Sequence, residues 1–203
     1  MNLDLDIKHP ETRNAKNTFD QIEKAAIKLF YEHGYHGTTV SNITKEAGVA
    51  AGTFYLYFPS KIVLYKHILA LFSHNIRKHI AERASKVKSR YDKEREGIKA
   101  FIEYAKENPE MYNIIWESLY IDRELFESYY RTFAQRYVIG LDKAKDAEEI
   151  RNLDSETVAY VLMGITNFVS LKVLFNLGKK DENIDAIVDV VMEILQKGLF
   201  KNI

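Results

Sequence analysis

Between Thr18 and Leu64 the chain is cut into helical pieces too short to bury themselves alone, TFDQIEKAAIKLFYEHGYHGTTVSNITKEAGVAAGTFYLYFPSKIVL, and this division narrows the folds open to it. Thr18 followed three residues later by Gln21 reads as a capping box, so a first helix is expected to start there. Phe19, Ile22, Ala25, Ala26, Leu29 and Phe30 recur at the spacing of one helix face, and Gly34 is expected to end that helix as a left-handed residue. Thr39 is placed to cap a second helix that turns Val40, Ile43 and Ala47 inward, and Gly48 closes it after about two turns. The third piece, 51–58, is shorter still. Pro59 stops it, Ser60 caps the next helix, and Lys61 falls in a first turn, where a cation opposes the helix dipole.

A third helix that short buries little beyond Phe54 and Phe58, so its outward residues must explain it. An N-terminus of Ala51, Gly52 and Thr53 is slim enough to enter a major groove about 12 Å wide. Tyr55 and Tyr57 are expected to offer hydroxyls to phosphates, and Lys61 to hold a phosphate together with the helix N–H groups. The layout is that of a DNA-reading head.

These residues resemble the DNA-binding head of the TetR/AcrR family of bacterial one-component repressors over residues 18–69. The likeness rests on the apolar first helix and Gly34-Tyr35-x-x-Thr38-Thr39, then Ile43-x-x-x-Ala47-Gly48-Val49 across the turn, then Gly52-Thr53-Phe54-Tyr55-x-Tyr57-Phe58-x-x-Lys61. It implies a DNA-contacting set of Thr38, Thr39, Ala51, Gly52, Thr53, Tyr55, Tyr57 and Lys61. Two positions depart from the pattern: Ala51 stands where the family often has Lys or Arg, and Ile62-Val63 where an acidic pair often follows the Lys. Readout is therefore expected to lean on Thr53, apolar contact from Ala51, and backbone atoms. The resemblance further implies a homodimer on a palindromic double-stranded DNA operator, released by a small-molecule effector.

The 203 residues suit a small head plus one medium-sized domain, and 46% hydrophobic residues are ample for real cores. Formal net charge is zero, so basic surface must be local, and specificity must come partly from shape and dimer geometry. Lys8, Arg13, Lys16, Lys45 and Lys61 are the residues that could line DNA, the first three on an N-terminal arm taken as 1–17 that reads most simply as a solvated tail. Without cysteine there is no disulfide, thiolate metal site or cysteine catalysis. The acidic N-terminus lacks an apolar signal region, so a cytoplasmic location is expected.

Beyond Ser60 only Pro109 interrupts a run of helical patterns expected at 60–83, 92–107, 109–121, 123–147, 154–177 and 184–200. Asp154 is placed to cap the eighth helix and Gly178 to end it, and the charged run Lys86–Glu96 reads as a solvated loop and helix start. The fold class is all-α: a three-helix head, 18–64, followed by a bundle, 65–203, about nine helices in all. The fourth helix, continuous from head to bundle, is the expected mechanical link. The eighth helix is apolar on more than one face. Thr166, Asn167, Ser170 and Lys172 argue against its spanning a membrane. With the ninth helix's Ile187, Val188, Val191, Ile194, Leu195 and Leu199 it is expected to build a dimer interface, centred on Ile165, Val169, Val188, Val191 and Leu195.

Aromatic residues are dense in helices five to eight. Phe101, Tyr104, Tyr112, Trp116, Tyr120, Phe133, Tyr137 and Phe168, with Asn167 as a polar anchor, are the expected lining of a cavity for an apolar or aromatic effector. Glu117 is a second candidate anchor. All six histidines lie between His9 and His79; His67 and His74 share a helix face, but no third ligand sits at metal spacing, so no metal and no cofactor are expected. Phosphate loops, nucleophile elbows and His-Glu-x-x-His are missing, which counts against an enzyme. The alternatives are a helical-bundle enzyme, which turnover or stoichiometric metal would reveal, and a protein-interaction module that no longer reads DNA.

Overall fold

A computed structural model describes residues 6–175 and 183–197. Nine helices and no strand occur among the described residues: α1 (Arg13–Gly37), α2 (Val40–Ala47), α3 (Ala51–Tyr57), α4 (Lys61–Ala84), α5 (Arg90–Glu107), α6 (Glu110–Ile121), α7 (Arg123–Asp146), α8 (Ser155–Phe175) and α9 (Ile184–Lys197). The all-α expectation holds, and the helix limits from α4 onward agree with the sequence pattern to within a few residues. Gly178 and Leu199, expected near the ends of the last two helices, lie outside the described residues.

The first helix begins earlier than its pattern implies. Thr12, in extended conformation, caps α1 by accepting the Ala15 N–H at 3.2 Å. Thr18 therefore lies inside the helix, where its hydroxyl donates to the Asn14 carbonyl one turn back. The arm is correspondingly shorter than 1–17 and part of it is docked: the Lys8 N–H donates to the Tyr57 carbonyl at 3.2 Å, and the His9 ring lies 6.3 Å from Phe19. Gly34 does break the helix (φ 70°, ψ 170°), but a further turn follows it before Thr38.

Contacts divide the chain into two units whose boundary is not at residue 64. The first comprises the chain up to His74 together with Glu110–Tyr130; the second comprises Asn75–Pro109 and the chain from Arg131 onward. Helix α6 thus packs with the head rather than with the bundle. The core of this unit joins Ile22, Ala26 and Phe30 of α1 to Ile43, Phe54, Phe58, Leu64, Tyr65, Ile68, Met111 and Ile114, each almost wholly buried, with each large aliphatic or Phe side chain worth about 1.5–3 kcal/mol. Rings mesh in this core, with Phe19 lying 4.8 Å from Phe58 and edge-on to Tyr57 and His67. His67, whose other partner is the Glu23 carboxylate at 2.8 Å, is committed to holding α4 against α1.

In the second unit α5 is the shared wall for α8 and α9. Ile98 and Ile102 of α5, Val173 of α8, and Val188, Val191 and Met192 of α9 form one cluster, with Ile165, Val169 and Leu195 packed against it. Of the five residues expected at the dimer surface, Val188 and Val191 are thus core, and Ile165, Val169 and Leu195 are partly buried against it. The exposed apolar side chains are Tyr160, Val161, Phe168 and Phe175 on α8 and Val190 and Ile194 on α9. Helix α8 is long and apolar enough to cross a membrane by length and composition. Its apolar content is divided between a buried face and that exposed stripe, while the Thr166 and Ser170 hydroxyls are absorbed by carbonyls one turn back. Asp154 caps it as expected, accepting the Thr157 N–H at 2.8 Å.

Charge pins α9 in place. Lys99 donates to Asp185 at 2.6 Å and Arg95 reaches both Asp185 and Asp189. The Lys99 hydrogen bond, with Arg95 adding to it, holds the Asp185 carboxyl below the usual carboxylate range. A depressed carboxyl stabilises the fold above its unfolded value of about 3.9 and loses that contribution as pH falls through the lower folded value. Asp185→Asn is accordingly expected to lower the melting temperature at pH 7 and to lower it progressively less as pH falls below about 3.9, a trend that thermal denaturation across that range checks.

Candidate nucleic-acid interface

Helix α2 owes its start to a reciprocal cap. The Thr39 hydroxyl accepts the Asn42 N–H at 3.1 Å while the Asn42 side chain accepts the Thr39 N–H at 2.9 Å. Its end is Gly48 in the left-handed region (φ 67°), whose N–H returns to the Lys45 carbonyl. Ile43 and Thr44 face inward, leaving Ser41 and Lys45 outward. Helix α3 follows after Ala50 with no side-chain cap, so its first N–H groups remain free of any side-chain acceptor at the surface.

The core seats α3 through Phe54, Tyr57 and Phe58, and the same three fix which residues look out: Ala51, Gly52, Tyr55 and Leu56 are exposed and Thr53 is half-buried. Leu56 belongs to this outward face although its sequence pattern did not single it out. Gly52 is helical, and a Cβ there would meet nothing within 4 Å. A helical glycine costs about 0.5–1 kcal/mol relative to alanine. No neighbour in the fold requires it.

Three residues of the expected DNA-contacting set have other tasks. Tyr57 is 6% exposed, its ring wedged edge-on to Phe19 as part of the core that seats α3. Thr38 is buried, and its hydroxyl donates to the Leu29 and Gly34 carbonyls, closing the bend at the end of α1. Lys61 corrects the reading of a cation in an unfavourable place. Its ammonium donates to the Tyr35 and Thr38 carbonyls, both at 2.7 Å, and lies 4.0 Å from the centre of the Tyr35 ring. Partial burial lowers its pKa, an effect that the Glu117 carboxylate opposes. The cation serves carbonyls of its own chain. Thr39, Ala51, Gly52, Thr53 and Tyr55 remain at the surface.

The expected effector lining is divided between the two units. Tyr112, Trp116 and Tyr120 lie on α6 in the first unit, and Phe101, Tyr104, Phe133, Tyr137, Asn167 and Phe168 in the second. Tyr120 is 84% and Phe168 67% exposed, so neither lines an interior. Tyr137 donates its hydroxyl to Glu94, beneath the Arg90 guanidinium, and burial holds its phenol well above the ordinary value. The Asn167 amide donates to the Met163 carbonyl at 2.8 Å, and Glu117 accepts the Tyr35 N–H at 2.7 Å, so both proposed anchors serve backbone. Phe101 and Tyr112 are buried, while Tyr104, Phe133 and Trp116 are partly exposed. A separate depression of about 490 Å³ is lined by Asp142, Lys145, Asp146, Glu148, Ile150 and Asn152, none of them aromatic. Among the described residues no three His, Asp or Glu side chains gather as metal ligands.

Residues 22–68 match the family model of bacterial regulatory proteins, tetR family. The fatty acid metabolism regulator protein of Bacillus subtilis (strain 168) is 44% identical over 69 residues, 32% of this chain and 36% of that protein. The chain thus matches about a third of that relative's length. In three dimensions the fatty acid degradation regulator FadR from Bacillus halodurans superposes with a TM-score of 0.80 at 21% identity, covering 96% of this chain and 100% of that one. FadR from Bacillus subtilis, solved in complex with stearoyl-CoA, superposes with a TM-score of 0.68 at 23% identity, covering 90% of this chain and all 100% of that one. At these identities the structural likeness is one of fold.

Removing Lys61 separates the structural role of this residue from an electrostatic one. Lys61→Met is expected to destabilise the head by about 1–3 kcal/mol, since it leaves two carbonyls without their charged donor. Urea denaturation measures the loss. The salt dependence of DNA binding should keep its wild-type slope, whereas loss of a phosphate contact would reduce it by about one unit.

Proposed function

We propose, for a chain that belongs to the tetR family of bacterial regulatory proteins, that it is a cytoplasmic transcriptional repressor, binding an operator as a homodimer and leaving it when a long apolar effector binds. The observation that carries the reading is the open N-terminus of α3. Ala51, Gly52, Thr53 and Tyr55 stand outward on a helix whose inner face is locked by Phe54, Tyr57 and Phe58, and the Gly52 backbone lies bare where nothing inside the protein needs it bare. Such a helix end can bring backbone to base edges, with the Tyr55 and Thr39 hydroxyls and Lys45 within the same exposed surface for phosphates.

Two further features support the reading. The exposed stripe of Tyr160, Phe168 and Phe175, spaced about two turns apart on α8, and of Val190 and Ile194 on α9, is the surface we assign to the two-fold contact. Two heads related by that dyad would meet half-sites about 34–36 Å apart, or a multiple of it. For the effector we favour a long-chain acyl-CoA, on the strength of relatives named for fatty acid regulation and of the stearoyl-CoA bound to one of them. The effector acts by preferring one arrangement of the two heads over another, so its differential affinity sets the response. We take α4, which contributes residues to both units, as the path.

Operator fragments recovered by genome-wide selection with the purified protein test the reading. Wild type should bind a pseudo-palindrome and release it on addition of stearoyl-CoA. Gly52→Leu should abolish binding without lowering the melting temperature, because the new side chain meets only open space in the protein. Undiminished affinity in that variant would remove α3 from the interface. Sedimentation tests the dimer: Phe168→Glu combined with Val190→Glu is expected to give a folded monomer that has lost specific DNA binding. Val191→Glu should instead unfold the second unit, since Val191 lies in its core.

A further inference from the structure

Helix α6 reaches the joint between α1 and α2 through one carboxylate. Gly34 interrupts the α1 ladder (φ 70°, ψ 170°), so the Tyr35 N–H lacks the carbonyl that a continuous helix would offer it four residues back. Glu117 Oε1 accepts that N–H at 2.7 Å, from 82 residues away in sequence. A Cβ on Gly34 would stand 2.8 Å from the same oxygen, so the carboxylate lies directly against the backbone of the bend. Two other polar ties hold α6 and the residue after it, Tyr65 to the Ile114 carbonyl at 2.5 Å and Lys66 to Asp122 at 2.9 Å, and both go to α4. Of the three, Glu117 touches the segment that leads into the helix-turn-helix.

That segment has few other ways to adjust. The Gly34 carbonyl accepts from the Thr38 hydroxyl, the Tyr35 carbonyl from Lys61, and the Thr38 carbonyl from Lys61, while the Thr39 N–H belongs to the α2 cap. The Tyr35 N–H is the one backbone group of this set whose partner is supplied by α6. Resting on the reading of the head as a DNA-binding element, we propose that Glu117 is the positioning residue that couples α6 to the orientation of α2 and α3. With the carboxylate seated, the bend at Gly34 and the cap at Thr39 are held in one geometry. A displacement of α6 withdraws the acceptor, leaves the Tyr35 N–H without a partner and releases the bend. Because coupling is reciprocal, DNA that holds the head must also hold α6.

Trp116, the residue before Glu117 and the single tryptophan of the chain, reports on this directly. It is partly exposed and lies 6.1 Å from the Phe126 ring. Operator DNA added to the wild-type protein should shift Trp116 emission. Glu117→Gln retains an acceptor oxygen and should retain the shift. Glu117→Ala should bind operator about five- to tenfold more weakly, by anisotropy of labelled DNA, and show no shift even when saturated. Tyr65→Phe removes a different α6 tie and should keep the shift, which separates coupling from general loosening. Hydrogen exchange at the Tyr35 amide of the wild-type protein gives a measurement independent of any variant's folding; it should slow when DNA is bound. An undiminished Trp116 shift in DNA-saturated Glu117→Ala, or unchanged Tyr35 exchange in DNA-bound wild type, overturns the coupling role while leaving the DNA-binding reading intact. Failure of the wild type to bind any selected DNA overturns the DNA-binding reading itself, and the coupling with it.

Discussion

The head depends on a break in one helix. At Gly34 the α1 backbone leaves the helical region for a conformation that suits glycine, and the chain must then account for every N–H and C=O between there and Thr39. Side chains from three places take four of these groups: Thr38 from within the bend binds the Gly34 carbonyl, Lys61 from α4 the Tyr35 and Thr38 carbonyls, and Glu117 from α6 the Tyr35 N–H. The orientation of α2, and through the short Gly48 turn that of α3, follows from this arrangement. A smooth continuation of α1 would have satisfied the same backbone groups and pointed α2 elsewhere.

The same logic explains why Lys61 sits in the first turn of α4, where the helix dipole disfavours a cation. A charge–dipole term at a helix end is worth about 0.3–1 kcal/mol. Hydrogen bonds from a charged donor to two carbonyls are worth about 1.5–3 kcal/mol each, and the Tyr35 ring adds a cation–π contact. The stronger interactions decide the position. An external phosphate is not required to rationalise the residue, and the surface proposed to face DNA becomes smaller and less basic, consistent with a zero formal net charge.

Local chemistry makes most of the head legible in the sequence. The Thr39 cap, the Gly48 stop, the inward Phe54 and Phe58 and the outward Ala51, Gly52 and Tyr55 all follow from spacing within a few residues, where cap and turn chemistry acts. Thr18 misled because a Thr-x-x-Gln pattern is indifferent to a better cap upstream, and Thr12 sits just after Pro10 in an extended segment that cannot extend the helix. Tyr57 misled because a tyrosine carries both an apolar ring and a polar tip, and only the position of Phe19 decides which end the fold uses.

The bundle shows the limit of periodicity most plainly. On α9, Val188 and Val191 are core while Val190 and Ile194 are exposed, and on α8 Ile165 and Val169 turn inward while Tyr160 and Phe168 turn out. A helix apolar on two faces declares that both want burial, but spacing cannot say which faces its own chain. The sequence by itself determined an all-helical chain, the helix limits from α4 onward and the Thr39 and Gly48 caps of α2, because these depend on interactions between residues three or four apart. Only the tertiary structure decided that α6 packs with the head, that Lys61 and Glu117 clasp the bend at Gly34, and which stripe of α8 and α9 is left uncovered. Those outcomes rest on partners tens of residues distant, whose meeting is set by how the helices pack and not by any pattern along them.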